Sequence, residues 1–172
     1  MIKHSIKYIV VGVLLIIAQG ALDNYVNLST YVDISLPLFI ILMLPYRMGT
    51  VPAMLTAFAT GLVVDVLGNG ILGMTSAALT ATALCRRGIL LLTTAHETSV
   101  KEGRPSMESI GIRRFILYCI PLTLIYIIVL ILIDNSGFKP VGTCVLRMSL
   151  SLVTDTALMT ALYAVISDNR RK

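Results

Sequence analysis

Charge is scarce in this sequence. Only 13% of its 172 residues are Asp, Glu, Lys or Arg, against about 25% in an ordinary soluble chain. Apolar residues make up 56%, and the mean hydropathy is +0.88. A water-soluble fold of this composition would lack the polar surface to cover its core and would expose large apolar patches. That excludes a soluble domain and makes lipid the natural solvent. Histidine is scarce too: His4 and His96 stand far apart in polar segments, which leaves no histidine-centred constellation. The three cysteines, Cys85, Cys119 and Cys144, have neither metal-ligand nor redox spacing and read as small residues of a membrane bundle. A glycine-rich nucleotide loop, an adjacent pair of carboxylates and a nucleophile elbow are all missing. The chain is therefore expected to be non-enzymatic, with no metal and no cofactor.

The net charge is +5. Its basic residues flank apolar segments and do not form a soluble face interleaved with aromatics, which argues against nucleic acid and for membrane lipid as the surroundings. The pattern predicts an all-α, single-domain polytopic membrane protein of about six transmembrane helices, over residues 6–22, 32–46, 50–67, 71–85, 115–133 and 146–166. The first is read as a retained anchor, because its apolar run is long for a cleaved signal and further membrane segments follow. The second is short for a span of roughly 20 residues and contains Pro37. Arg86 and Arg87 are expected to stop the fourth helix at Cys85. The apolar stretch 88–94 either extends that helix or lies along the interface, and 88–114 forms the longest cytoplasmic loop. With the N-terminus inside, twelve of the fourteen basic residues fall on the cytoplasmic side, all but Lys139 and Arg147. The positive-inside bias thus predicts cytoplasmic N- and C-termini.

Small residues mark the middle of the chain. Ala53, Ala57, Gly61 and Asp65 are spaced four apart on the third helix, and Gly73, Ala77, Ala81 and Cys85 on the fourth. Residues four apart share a helix face, and small faces let helix backbones approach closely in lipid. Gly68-Asn69-Gly70 would make the tight turn between them. Together these predict a close-packed antiparallel hairpin that sets Asp65 toward a helix partner. Asp155 lies about eight residues into the sixth helix, roughly 12 Å down, and an ionisable group there is costly. Three roles stay open for Asp65 and Asp155: a structural hydrogen-bonding role, a transport or proton-relay role, and, better suited to Asp65, a boundary position in headgroup water. Arg147 is a candidate partner for Asp65 if the third and sixth helices touch.

The segment from Gly61 through Asp65, Gly68 and Gly70 to Leu72 and Gly73 resembles the characteristic segment of MreD, the bacterial rod shape-determining membrane protein family. That family pattern is a glycine, an aspartate four residues later, a glycine-bearing turn and a Leu-Gly opening the next helix. The chain length and helix layout agree in kind. The resemblance implies a non-enzymatic inner-membrane component that acts with MreC, MreB, RodA and its class B penicillin-binding protein in lateral peptidoglycan synthesis. It also implies a fold resembling the substrate-binding subunits of energy-coupling-factor vitamin transporters, and no catalytic residue carries over. Such a vitamin-binding subunit is itself the alternative function, since size, helix count and apolar character fit it, although the far-side loops around 23–31, 68–70 and 134–145 are short and poor in aromatics for a solute pocket.

Overall fold

A computed structural model of the chain describes residues 2–25, 34–45, 48–68, 71–94, 111–135 and 141–168. Six helices occupy them: α1 (Ile2–Tyr25), α2 (Pro37–Leu42), α3 (Thr50–Leu67), α4 (Met74–Thr94), α5 (Ile112–Asn135) and α6 (Val141–Asp168). The fold is all-α and has the character of a multi-pass membrane protein. Thr50–Leu67, Ile112–Asp134 and Cys144–Ala164 are each long and apolar enough to cross a membrane, and Val10–Asn24 is a shorter apolar helix.

The packing logic is easiest to see on α3. Val51, Leu55, Phe58, Leu62 and Val66 are exposed, while Ala53, Ala57, Gly61, Val64 and Asp65 are buried on the opposite face. Bulky apolar side chains thus point outward and small ones inward. This suits a helix whose outer solvent is lipid and whose inner neighbour is another backbone. Gly49 caps its start, and Pro52 sits within the first turn, where a missing N–H costs no helical bond. In α5 Pro121 lies inside the helix, a position lipid-embedded bundles tolerate when neighbours resatisfy the freed carbonyl.

Three expectations need correction. The second segment is not a fifteen-residue span: α2 has six residues, about 9 Å of helix. Its two prolines explain why. Pro37 opens the helix at its first turn. Pro45 lacks a donor and biases the residue before it away from helical backbone. The fourth helix does not stop at Cys85 but runs on through Arg86 and Arg87 to Thr94, so residues 88–94 extend it. Arginines end a helix only where water is the better neighbour, and Arg86 has protein partners. The first helix also continues past Leu22, taking Asp23 and Asn24 into its last turn.

Although α2 is short, the chain still returns across the bundle between α1 and α3. Gly20 lies against Leu67, a Cβ there meeting Leu67 Cβ at 3.1 Å. Asn24 Nδ2 donates to Leu67 O at 2.9 Å. The C-terminal ends of α1 and α3 are therefore side by side. Further down, Thr60 shares a cavity with Val11 and Leu15, so the two helices run parallel and the segment joining them must travel back. Within that returning segment the described helix is α2 alone, with non-helical backbone at 34–35 and 43–45. Leu38, Ile41 and Leu42 on it are fully buried, together with Leu79 of α4, Phe115, Tyr118 and Leu122 of α5, and Met159 of α6. The shortest of the described helices lies at the centre of the core.

Candidate functional site

The α3–α4 hairpin brings the small-residue segment together in a specific way. A Cβ placed on Gly61 would lie 2.3 Å from Ser76 Cα and 2.7 Å from Ser76 N. Only glycine lets the two backbones come this close. One turn further, the Asp65 carboxylate reaches across to the start of α4. Its Oδ2 accepts the N–H of Gly73 at 2.9 Å and of Ser76 at 3.2 Å, and its Oδ1 accepts the N–H of Thr75 at 3.1 Å. Gly73 is the residue before α4, with φ +95°, and its carbonyl accepts the first helical N–H, from Ala77.

A helix start leaves its first N–H groups without helical partners, and a side chain at the capping position ordinarily takes them. Here the capping position needs left-handed backbone, which glycine adopts freely, and glycine has no side chain to offer. Asp65 supplies the cap from the preceding helix, with its charge placed at the favourable end of the α4 dipole. Asp65 is only 5% exposed. Its carboxylate is turned into its own hairpin and not toward a partner helix.

A second polar cluster holds α2 at both ends. At its entrance the Gln19 side chain acts as a surrogate peptide. Its Nε2 donates to Ile34 O at 3.0 Å, and its Oε1 accepts the Leu36 N–H at 3.0 Å. The same Nε2 donates to Asp23 Oδ1 at 2.9 Å. Between those two backbone groups, the Ser35 N–H donates to Asp155 Oδ1 at 3.1 Å. Asp155, fully buried, thus serves backbone from across the bundle.

At the exit, Tyr118 Oη donates to Leu42 O at 3.3 Å. Arg86 donates through Nη2 to Leu44 O and to Pro45 O, and through Nε to Tyr118 Oη at 3.1 Å. Irregular backbone in a membrane persists only when protein groups satisfy it. Here α1, α4, α5 and α6 each contribute one side chain to that task. The signs also agree with the helix dipole, an acid at the entrance and a guanidinium at the exit.

The expected site residues divide as follows. Ala53, Ala57, Gly61 and Asp65 lie together on the buried face of α3. On α4 the expected stripe is rotated: Ala77 is exposed and Ala81 half-buried, while Ser76, Ala78, Leu79, Thr82, Ala83 and Arg86 are buried. The Asp65 cap fixes this rotation, since it sets the Gly73, Thr75 and Ser76 amides toward α3. Gly68 ends α3 in extended backbone, its N–H bonded to Val64 O at 2.8 Å, and Gly70 lies outside the described residues.

Arg147 does not pair with Asp65. It meets Asp134 of α5 at 2.5 Å, because α6 packs on α5 and Asp65 is already occupied by backbone amides. Sequence reasoning missed Gln19, Arg86 and Tyr118. Gln19 alone carried a usable signal, as a lone amide inside the apolar run of the first helix.

Among the described residues no group of three or more His, Cys, Asp or Glu is placed to hold a metal. Most serine and threonine hydroxyls in the spans donate to carbonyls of their own helix, as Thr60 does to Thr56 and Thr82 to Ala78, which withdraws them from ligand binding. Comparison of the chain with protein-family profiles, with curated proteins and with solved structures gave no match in any of the three.

Proposed function

We propose that this chain is a non-enzymatic, multi-pass component of a bacterial inner membrane. In this reading it supports MreC, MreB, and RodA with its class B penicillin-binding protein in rod-shape maintenance. Both termini are cytoplasmic, as the distribution of basic residues indicates. One observation carries the reading. The segment that resembles MreD spells out a single device: a close crossing at Gly61, a cap from Asp65 and a left-handed glycine at Gly73. Gly61, Asp65 and Gly73 of the motif each have a job in building one hairpin. Within the motif the one acid, Asp65, is taken up by backbone amides, which supports a scaffold.

A second reading has its own support. The short α2, with non-helical backbone and polar side chains at its ends, suits a solute-binding subunit of an energy-coupling-factor importer, whose fold the MreD family itself resembles. In transport proteins discontinuous helices commonly line the binding site. The buried Ser35 hydroxyl, without a hydrogen-bond partner among the described residues, is the kind of group a bound solute or water would engage.

Gentle detergent capture of the tagged protein from its native host, followed by mass spectrometry, separates the two. Recovery of MreC and the elongation enzymes is the expected result. Recovery of a transport coupling protein with its ATPases would replace the first reading by the second.

A further inference from the structure

Arg86 and Arg87 are adjacent and have opposite fates. Arg86 is 2% exposed and bonded to Tyr118 and to the carbonyls behind α2. Arg87 is exposed and has no hydrogen bond or ion pair among the described residues. It shares its face of α4 with Leu84, one turn before, and Leu91, one turn after, which are 54% and 62% exposed. Leu92, beside Leu91, is the most exposed large apolar residue described, at 83%. The neighbouring Gly88 leaves open space, with nothing within 4 Å of a Cβ built there.

The depth of Arg87 follows from the hairpin register. Gly61 faces Ser76 and Asp65 faces Gly73, so counting back along both helices sets Arg87 level with Thr50, where α3 begins. The guanidinium therefore lies at one end of the apolar slab, bracketed along the helix by leucines that face the same surroundings. On α5, the helix packed beside this end of α4, Ile112 and Leu117 are exposed as well. Arg113 is exposed and, like Arg87, without a partner among the described residues. Neither α4 nor α5 carries an acidic residue before Asp134 at the far end.

A guanidinium among lipid-facing leucines is costly if left bare, and it lowers that cost by snorkelling or by drawing an anion to its own depth. The anion a bilayer supplies there is phosphate, and guanidinium binds phosphate through paired N–H groups. We infer that Arg87, with the notch at Gly88 and the flanking Leu84 and Leu91, forms a binding site for an anionic phospholipid. The phosphate sits on the guanidinium and an acyl chain lies along Leu84. Arg113 adds to the attraction without being the clamp. The site is separate from the capped hairpin and from the α2 clamps, and it belongs to the membrane protein whichever function that protein serves.

The chain has no tryptophan, so a Leu91→Trp variant gives a single reporter beside the site. The purified, full-length variant is reconstituted in phosphatidylcholine vesicles containing increasing brominated phosphatidylglycerol, or brominated phosphatidylcholine as the control, and tryptophan quenching is read. The expected result is about a fivefold preference for the anionic lipid, the scale of one arginine at a membrane surface. It falls to near one when Arg87→Gln is added, and it is largely kept with Arg113→Gln.

Arg87 is exposed, so its substitution leaves the folded core intact, and an unchanged thermal unfolding midpoint checks this. A preference unaffected by Arg87→Gln would overturn the inference. So would a reporter that no brominated lipid quenches, since that means protein, either a second copy or an acidic partner, covers this face.

Discussion

The α3–α4 hairpin and the α2 segment face the same problem and solve it over different distances. Both place irregular or terminal backbone where water is scarce, so each N–H and C=O must find a protein partner. The hairpin does so locally: Asp65 bonds amides eight to eleven residues away. The α2 segment draws on Gln19, Arg86, Tyr118 and Asp155, which lie 15 to 120 residues from the backbone they serve. A local device can form as soon as its two helices meet. A distributed one exists only once the bundle has closed, which makes α2 dependent on α1, α4, α5 and α6 together.

The sharpest way to break the hairpin is to add one methyl group. In Gly61→Ala the new Cβ would collide with the Ser76 backbone, where no flexible side chain can move aside. A loss of about 3 kcal/mol is expected, at the upper end of overpacking costs. The contrasting substitution on the neighbouring helix is Gly88→Ala. Nothing lies within 4 Å of that position, so it should gain roughly 0.5–1 kcal/mol from helix propensity. Thermal or denaturant unfolding in detergent measures both, and equal effects at the two glycines would remove the close crossing from the account.

Next in size is the cap. Asp65→Ala strands three amide donors and should cost about 2–3 kcal/mol, the range for hydrogen bonds to a charged group. Asp65→Asn keeps one acceptor oxygen and should cost about half of that. Arg86→Met is expected to cost a similar amount, about 2 kcal/mol, because it leaves the Leu44 and Pro45 carbonyls unserved. The location of the damage should differ. Amide hydrogen exchange is expected to rise over Leu38–Leu44 in the Arg86 variant while Val64–Ala83 stays protected. The Asp65 variants should show the reverse. Uniform loosening in both would mean that hairpin and α2 form one cooperative unit and that the local-versus-distributed distinction has no energetic content.

That distinction also explains what the sequence could reveal. The small face of α3 was legible because its residues recur every four positions, while Asn69 and Gly70 of the expected turn lie outside the described residues. The six-residue length of α2 was not legible, since Pro37 suits a kink in a longer span as readily as a helix start. Arg86 and Arg87 look like a stop signal because adjacent arginines give no sign that one is buried. What decides is Tyr118, 32 residues away from Arg86. The rotation of α4 escaped for a related reason. A spacing of four from Gly73 picks out a face, but the cap that sets which face turns inward comes from Asp65 on another helix.

The smallest expected effect concerns Arg147, which pairs with Asp134 and not with Asp65. Both members of the Arg147–Asp134 pair keep some exposure, 18% and 25% of their side chains. Partly solvated ion pairs contribute little because water competes for both charges and ordering two long side chains costs entropy, so about 0.5–1 kcal/mol is the range to expect. Single substitutions cannot assign so small an effect, but a double-mutant cycle can. The coupling between Arg147→Gln and Asp134→Asn should fall in that range and shrink in high salt, as an exposed pair does. The coupling between Arg147→Gln and Asp65→Asn should be near zero, because Asp65 is taken up by the α4 amides. If instead the second cycle carried the coupling, α6 would have to reach α3, and the side of the bundle on which Asp155 meets Ser35 would have to be redrawn with it.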